Sequence, residues 1–367
     1  MAFHNINFTK YDITPMTKYL GTDNFSHDVD VSCTGILITN LGTPDAATPS
    51  AVRHYLAEFL SDPRIVETPR LIWWFILHGV ILRIRPKPVA KNYQKVWTDE
   101  GSPLLAISKK QKDSLQTAIE PHFKGKVKVE LAMRYGNPSI KDALLNLKEA
   151  GAQRLLVLPL YPQYSATTTA STFDAIADEL KTWRWLPEFR MVQHYHEHEA
   201  YIQALANSIT AFQKENGVPE KLLFSFHGLP QKYLDKGDPY FCECHKTARL
   251  VATKLGLKDE QWLLAFQSLF GREEWLKPYA NKSLIKWAKE GIKDVQVICP
   301  GFSADCLETL EEIKVENRDY FLNAGGETFK YIPALNDKAE HIGMMGQLIK
   351  QHAADWLEIE PKKIAKN

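Results

Sequence analysis

The sequence predicts an α/β protein made of two similar halves, each a four-stranded parallel sheet flanked by helices, facing each other across a ligand crevice. Three observations lead there. Eight short aliphatic or β-branched runs punctuate the chain, helical patterns separate most of them, and two distant stretches share one pattern. The runs lie at 34–41, 127–134, 154–160, 189–195, 222–227, 262–269, 295–300 and 329–334. Their near-continuous apolar character suits strands buried on both faces, as in parallel sheets.

The intervening helices carry start and stop signals. Thr48 followed by Pro49 reads as a cap with proline at the first helical position. Ser139 and Asp142 form a capping pattern before Ile140, Leu144 and Leu147, and Gly151 ends that helix. Asn281 reads as the cap of a helix carrying Leu284, Ile285 and Ala288, closed by Gly291.

The repeat pairs LLNLKEAGAQRLLVLPLYP (144–162) with LIKWAKEGIKDVQVICPGF (284–302). Each has an aliphatic helix end, Lys-Glu, a glycine, a polar turn, an apolar strand and then proline. The run 189–195 precedes a helical pattern at 201–212, as 329–334 precedes one at 341–349. An internal duplication with a pseudo-twofold axis explains both matches; chance likeness between αβ units is the competing explanation. The expected organisation is an extension at 1–30, a first half at 31–205, a second half at 206–340, and a C-terminal helix and tail at 341–367 packing back on the first half. Ligands in such sheets bind outside the carboxyl ends of the strands.

Composition narrows the function. The 367 residues carry 45 Lys and Arg against 44 Asp and Glu, a net +1, which argues against a nucleic-acid binder relying on bulk basic charge. Apolar residues make up 44%, enough for a core and too many for a disordered chain. The five cysteines are odd in number and sparse, which fits a reducing compartment better than a disulfide framework. Residues 1–30 are polar and lack the charged head and apolar run of a signal peptide. The most apolar stretch, LIWWFILHGVIL at 71–82, falls short of the roughly 20 residues a spanning helix needs. It suits a core helix, a surface-resting segment or the rim of an apolar pocket.

The second half carries the reactive side chains. Where the first half has neutral Tyr164, Ser165 and Thr167–169, the second has Phe302, Asp305, Cys306 and Glu308, then Glu311, Glu312 and Glu316. Glu308, Glu312 and Glu316 are four apart and stack on one helix face, a repulsive arrangement that a cation or shared protons would relieve. A solvated acidic helix start is the simpler alternative. His227 ends the strand run FSFH before Gly228, Leu229 and Pro230, so its imidazole points into the crevice, where it can take a proton or ligate a metal. A satisfied structural histidine is the alternative there.

Together these motifs resemble the ferrochelatase family, whose members insert ferrous iron into protoporphyrin. The resemblance rests on FSFHGLP, KGDPY and GFSADCLETLEEI, with GILITNLGTP, RIRPKPVAKNY with GSPL, MRYGNP, LPLYPQYSATTTAST and AFQSLFGREEWLKP, in order from Cys33 to Asp337. It implies two flavodoxin-like (Rossmann-like) halves of the chelatase type and formation of protohaem, the last step of haem biosynthesis. It places His227 and Glu308 as metal ligand and proton acceptor on opposite faces of a distorted ring, and leaves open which does which. Asp305 would support Glu308, and Glu312 and Glu316 would extend a proton or metal path. Tyr135, Trp275 and Phe302 would line the slot and press on the ring. Arg85, Tyr93, Ser102 and Ser268 match propionate anchors, and Arg134 would steady the pocket or approach the ring. The 71–82 segment matches the pocket lip, with Trp73, Trp74 and Phe75 as an apolar mouth touching a membrane peripherally.

The chemistry agrees with that set. Insertion removes two pyrrole protons and strips water from Fe²⁺, so it needs a base near the ring centre and ligands that release the metal; imidazole with carboxylate meets both needs. Arginine suits propionates through its bidentate fork.

The implied substrates are protoporphyrin IX and ferrous iron, with no cofactor required and no nucleic acid. The implied location is the bacterial cytoplasm, with contact to the inner membrane through the lip. Some bacterial members hold a [2Fe–2S] cluster on four cysteines; here Cys242 and Cys244 are the local pair, and Cys299 and Cys306 would have to approach them. His194, His196 and His198 alternate, so two face the same way, suggesting either a secondary metal site or a polar loop. The rival functions are a non-catalytic porphyrin or haem carrier and a chelatase for another divalent metal such as cobalt or nickel. A nucleotide enzyme is disfavoured by the absence of a glycine-rich phosphate loop.

Overall fold

The computed structural model describes residues 19–21, 33–123, 125–269, 271 and 273–357. All eight apolar runs form strands. In the first sheet, β1 (Cys33–Thr43) is flanked by β2 (Lys126–Gly136) and β3 (Ala152–Pro159), with β4 (Glu188–Met191) beyond β3. In the second, β5 (Lys221–His227) is flanked by β6 (Trp262–Gln267) and β7 (Asp294–Ile298), with β8 (Thr328–Ile332) beyond β7. Every pairing is parallel. Both sheets therefore run second, first, third, fourth, the topological signature of the duplication. The likeness extends to an unusual detail: a π-helical segment follows the third strand in each half, Ala166–Ala170 and Glu308–Asn317.

Local signals place the helix starts. Thr48 Oγ1 accepts the Ala51 N–H at 3.3 Å, with Pro49 opening the helix Pro49–Ser61. Ser139 Oγ accepts the Asp142 N–H at 3.1 Å at the head of Ile140–Glu149. Asn281 is not a cap. The helix Ala280–Lys289 starts earlier, with Tyr279 in the cap position, and Asn281 sits inside the first turn. The reason lies in β6, whose Phe266 N–H donates to the Pro278 carbonyl at 2.8 Å and fixes where the chain leaves the sheet.

The last helix of each half crosses to the other. Glu199–Asn216 follows β4 but packs on Tyr240–Lys254 of the second half; Ala339–His352 follows β8 but packs on Pro103–Ile119 of the first. One apolar cluster consequently spans both halves, joining Ile36 and Leu156 to Phe224, Ile298 and Met345. The division expected at 205/206 falls inside Glu199–Asn216, because exchanged helices share a core that no chain boundary separates. Of the extension at 1–30 only 19–21 is described, with the Leu20 N–H donating to Thr182 at 2.7 Å; residues 358–367 of the tail also lie outside the described residues.

Candidate active site

A cavity of about 730 Å³ opens between the halves at the carboxyl ends of both sheets. That volume suits a single organic ligand. Strand ends build its wall: Asn40–Thr43 from β1, His227 from β5, Gln267 from β6, and Gly301–Ala304 just past β7.

His227 follows five buried residues of β5, which hold the backbone rigidly beneath it. Its Nδ1 lies 2.7 Å from the Gly228 carbonyl oxygen. A carbonyl only accepts, so Nδ1 carries a proton, and in the neutral ring Nε2 is the atom with the lone pair. Position 228 has to be glycine, since a Cβ there would stand 2.7 Å from the Gln267 carbonyl oxygen and 3.1 Å from the Trp275 ring.

The acidic row lies on the π-helical segment Glu308–Asn317, so Glu308, Glu312 and Glu316 share the cavity wall and Glu311 joins them. Hydrogen bonding from i to i+5 replaces the expected α winding. Asn317 Nδ2 donates to the Glu312 carbonyl, five residues back, at 2.8 Å and reinforces that pitch. Exposure rises along the row: Glu308 and Glu312 are half-buried, Glu316 is exposed. Burial pushes the Glu312 carboxyl up; hydrogen bonds from Ser268 and the nearby His227 oppose the shift, and the Glu308 charge adds to it.

The remaining expected residues divide in two. Arg85, Tyr93, Ser102, Ser268, Trp275 and Phe302 line the cavity with His227 and the acidic row. Burial lowers the Arg85 pKa, so a carboxylate partner is favoured there. Burial, with the Glu308 charge, pushes the Tyr93 phenol well up. Ser102 Oγ accepts from Thr43 Oγ1 at 2.9 Å. The Trp275 indole N–H is buried and has no acceptor among the described residues. Ser268 faces the cavity, but its hydroxyl is committed to Glu312.

Three expected residues lie elsewhere. Arg134 Nη2 donates to Asp62 Oδ2 at 2.6 Å and the Tyr135 hydroxyl to the same oxygen at 2.8 Å, behind the wall. Tyr135 is fully buried among Tyr55, Leu56 and Tyr93 and does not line the cavity. Asp305 is likewise saturated, accepting from Tyr331 at 2.6 Å, Asn336 at 2.8 Å and Thr309 at 3.0 Å. It precedes the helix and ties it to β8 instead of facing Glu308. At the lip, Trp73 turns inward and its Nε1 donates to Leu60 at 2.6 Å, while Leu71, Ile72, Trp74, Phe75, Val80 and Ile84 stay exposed.

Sequence reasoning missed the joints of the site. Gln267 accepts from Ser225 at 2.7 Å and donates to the Glu308 carbonyl at 3.1 Å, so it ties β5 to the start of the acidic row. A polar residue ending the apolar run of β6 was the available signal. Asp238, in the KGDPY motif, accepts from Ser165 at 3.0 Å and from the Ala166 N–H at 2.8 Å, pinning the second half to the first. Lys95 and Glu311 close the halves with an ion pair at 2.5 Å.

Cys242 is exposed and Cys244 buried on one helix, and Cys244, Cys299 and Cys306 belong to three different apolar clusters.

A family model described as Ferrochelatase matches residues 33–353. The chain belongs to the ferrochelatase family. It is 56% identical to the ferrochelatase of Nitrosococcus oceani over 94% of this chain and 93% of that one. It is 54% identical to the ferrochelatase of Marinobacter nauticus over 92% and 91% of the two chains. Among solved structures, SirB from Bacillus subtilis with Fe³⁺ covers 88% of this chain and 96% of its own at a TM-score of 0.50 and 11% identity, a likeness of fold. A ferrochelatase is a metal chelatase.

Proposed function

We infer that this ferrochelatase inserts Fe²⁺ into protoporphyrin IX to give protohaem. The observation that carries the reading is the meeting, in one cavity, of an imidazole held through its Nδ1 and a carboxylate row that becomes more exposed outward.

Porphyrin is an apolar disc with two propionates on one edge. In this reading the disc lies in the cavity against Trp275 and Phe302, with Arg85, Tyr93 and Ser102 at the propionate edge. His227 faces the ring centre through Nε2, and Glu308 addresses the ring from the other face. One accepts the pyrrole protons while the other ligates the iron. Protons leave, or iron enters, along Glu312 and Glu316. Ring distortion by the aromatic walls would bring a pyrrole lone pair out of plane, with the strain met by binding energy at the propionates. Ser268 acts here through Glu312, not on a propionate. Leu71, Ile72, Trp74 and Phe75, exposed on the helix whose Trp73 lines the cavity, present apolar side chains to a bilayer surface, a peripheral contact. No helix among the described residues is long and apolar enough to cross a membrane.

The test is direct: purified protein, anaerobic Fe²⁺ and protoporphyrin, followed by the absorbance change from free porphyrin to haem. Enzyme-dependent conversion supports the reading. Porphyrin binding without conversion points to a carrier, and insertion of cobalt or nickel but not iron points to a different chelatase.

A further inference from the structure

Away from the cavity, one group of metal-ligating side chains converges among the described residues: His194, His196 and Glu243. The two histidines leave the end of β4 on alternate positions, so their rings share a side, with centroids 5.1 Å apart. Glu243 reaches them from the helix Tyr240–Lys254 of the opposite half. Its Oε1 lies 2.7 Å from His194 Nδ1 and its Oε2 3.2 Å from His196 Nδ1. Three donor atoms thus face one point across the seam between the halves.

A hydrogen-bonded trio would be the simpler account, but it leaves an atom over. The His196 side chain is 7% exposed, and its buried Nδ1 makes no hydrogen bond, standing 3.2 Å from Glu243 Oε2. A buried polar atom left unpaired costs free energy that a bound cation would recover. Glu243 is 9% exposed in its side chain and also accepts the Tyr164 N–H at 2.7 Å. Donors on one tetrahedral ion with bonds of ~2.1 Å stand ~3.4 Å apart, and the three donor atoms already lie within 4.8 Å of one another. The His194 side chain is 53% exposed, which gives an ion an entry path and leaves a fourth position to water.

We propose that His194 Nδ1, His196 Nδ1 and a Glu243 carboxylate oxygen form a second metal site for a divalent first-row ion of the zinc type, latching the two halves behind the cavity. Two imidazoles with one carboxylate suit zinc, cobalt and ferrous iron over magnesium or calcium. The site is separate from His227 and does not depend on the porphyrin reading. Through Tyr164 it borders Gln163 and Ser165, which line the cavity, so the latch also steadies that wall.

The experiment titrates metal-stripped full-length protein with Co²⁺, read by its visible d–d bands, and repeats thermal melts with and without Zn²⁺. Three proteins are compared: wild type, His227→Ala and His194→Ala. His194 is exposed enough for its variant to fold, which keeps the test valid if His196→Ala or Glu243→Gln does not. The proposal expects one equivalent of Co²⁺ and a Zn²⁺-dependent rise in Tm to persist in His227→Ala, with affinity at least tenfold weaker and the rise absent in His194→Ala. Equal Co²⁺ affinity and an equal melting shift in His194→Ala and wild type would overturn it, as would loss of all binding in His227→Ala.

Discussion

Ser268 grips Glu312 at both carboxylate oxygens: its N–H donates to Oε1 at 2.6 Å and its hydroxyl to Oε2 at 2.5 Å. The serine holds a left-handed backbone at φ +67°, a conformation that non-glycine residues adopt at a cost. Strain retained at the end of β6 thus presents one carboxylate in a fixed orientation, and burial raises its pKa toward the range useful for proton transfer. Glu312→Gln removes that acceptor and should lower kcat by ~10²-fold with little change in porphyrin KM. Ser268→Ala deletes one hydrogen bond favouring the ionised form, so the Glu312 pKa rises further. Because the group must be ionised to accept a proton, the acid limb of the kcat profile should move to higher pH. An unmoved limb would show that Glu312 does not carry protons.

Arg85 tests the propionate edge. Its charge is half-buried on the cavity wall, where a charge-assisted hydrogen bond contributes ~1.5–3 kcal/mol. Arg85→Ala should therefore raise porphyrin KM about 10- to 100-fold while kcat changes far less. Steady-state kinetics that leave KM unchanged would reject the anchor.

Arg134 separates pocket from scaffold. Its ion pair with Asp62 is mostly buried, and Asp62 also accepts from Tyr135 and Ser171. Burial pushes the Asp62 carboxyl up, but those hydrogen bonds and the guanidinium outweigh it and hold the group below its usual range. Arg134→Ala leaves a buried carboxylate uncompensated and should cost ~3 kcal/mol in denaturant unfolding, with porphyrin KM close to wild type. A raised KM at normal stability would return Arg134 to the pocket.

The lip makes an independent prediction. Trp74 and Phe75 are exposed and pair edge to face at 5.1 Å. Replacing both with serine should change stability by no more than about 0.5 kcal/mol, as at ordinary surface positions, yet reduce binding to phospholipid vesicles several-fold. Equal vesicle sedimentation of the variant and wild type would remove the membrane role.

How much of this was legible in the sequence depended on the range of the interactions. The strands were readable because parallel sheets bury both faces, and the Thr48 and Ser139 caps because their partners lie three residues on. His227 and Glu308 were readable as groups at strand ends facing a crevice. Arg134 and Tyr135 looked equally exposed to it, but Asp62, more than 70 residues earlier, captures both. Asp305 looked like a helical neighbour of Glu308, whereas its partners come from Tyr331 and Asn336 on and beyond β8. The π winding was hidden because carboxylates four apart share a face in either helix type. The exchanged terminal helices were hidden because each carries an ordinary amphipathic pattern that names no partner.

The account rests on His227 as the group that meets the ring centre. The decisive measurement compares His227→Ala with wild type for porphyrin binding by fluorescence and for anaerobic Fe²⁺ insertion by absorbance. The account predicts porphyrin affinity within a few-fold of wild type and insertion reduced by at least ~10²-fold. Insertion at near wild-type rate in that variant would contradict it.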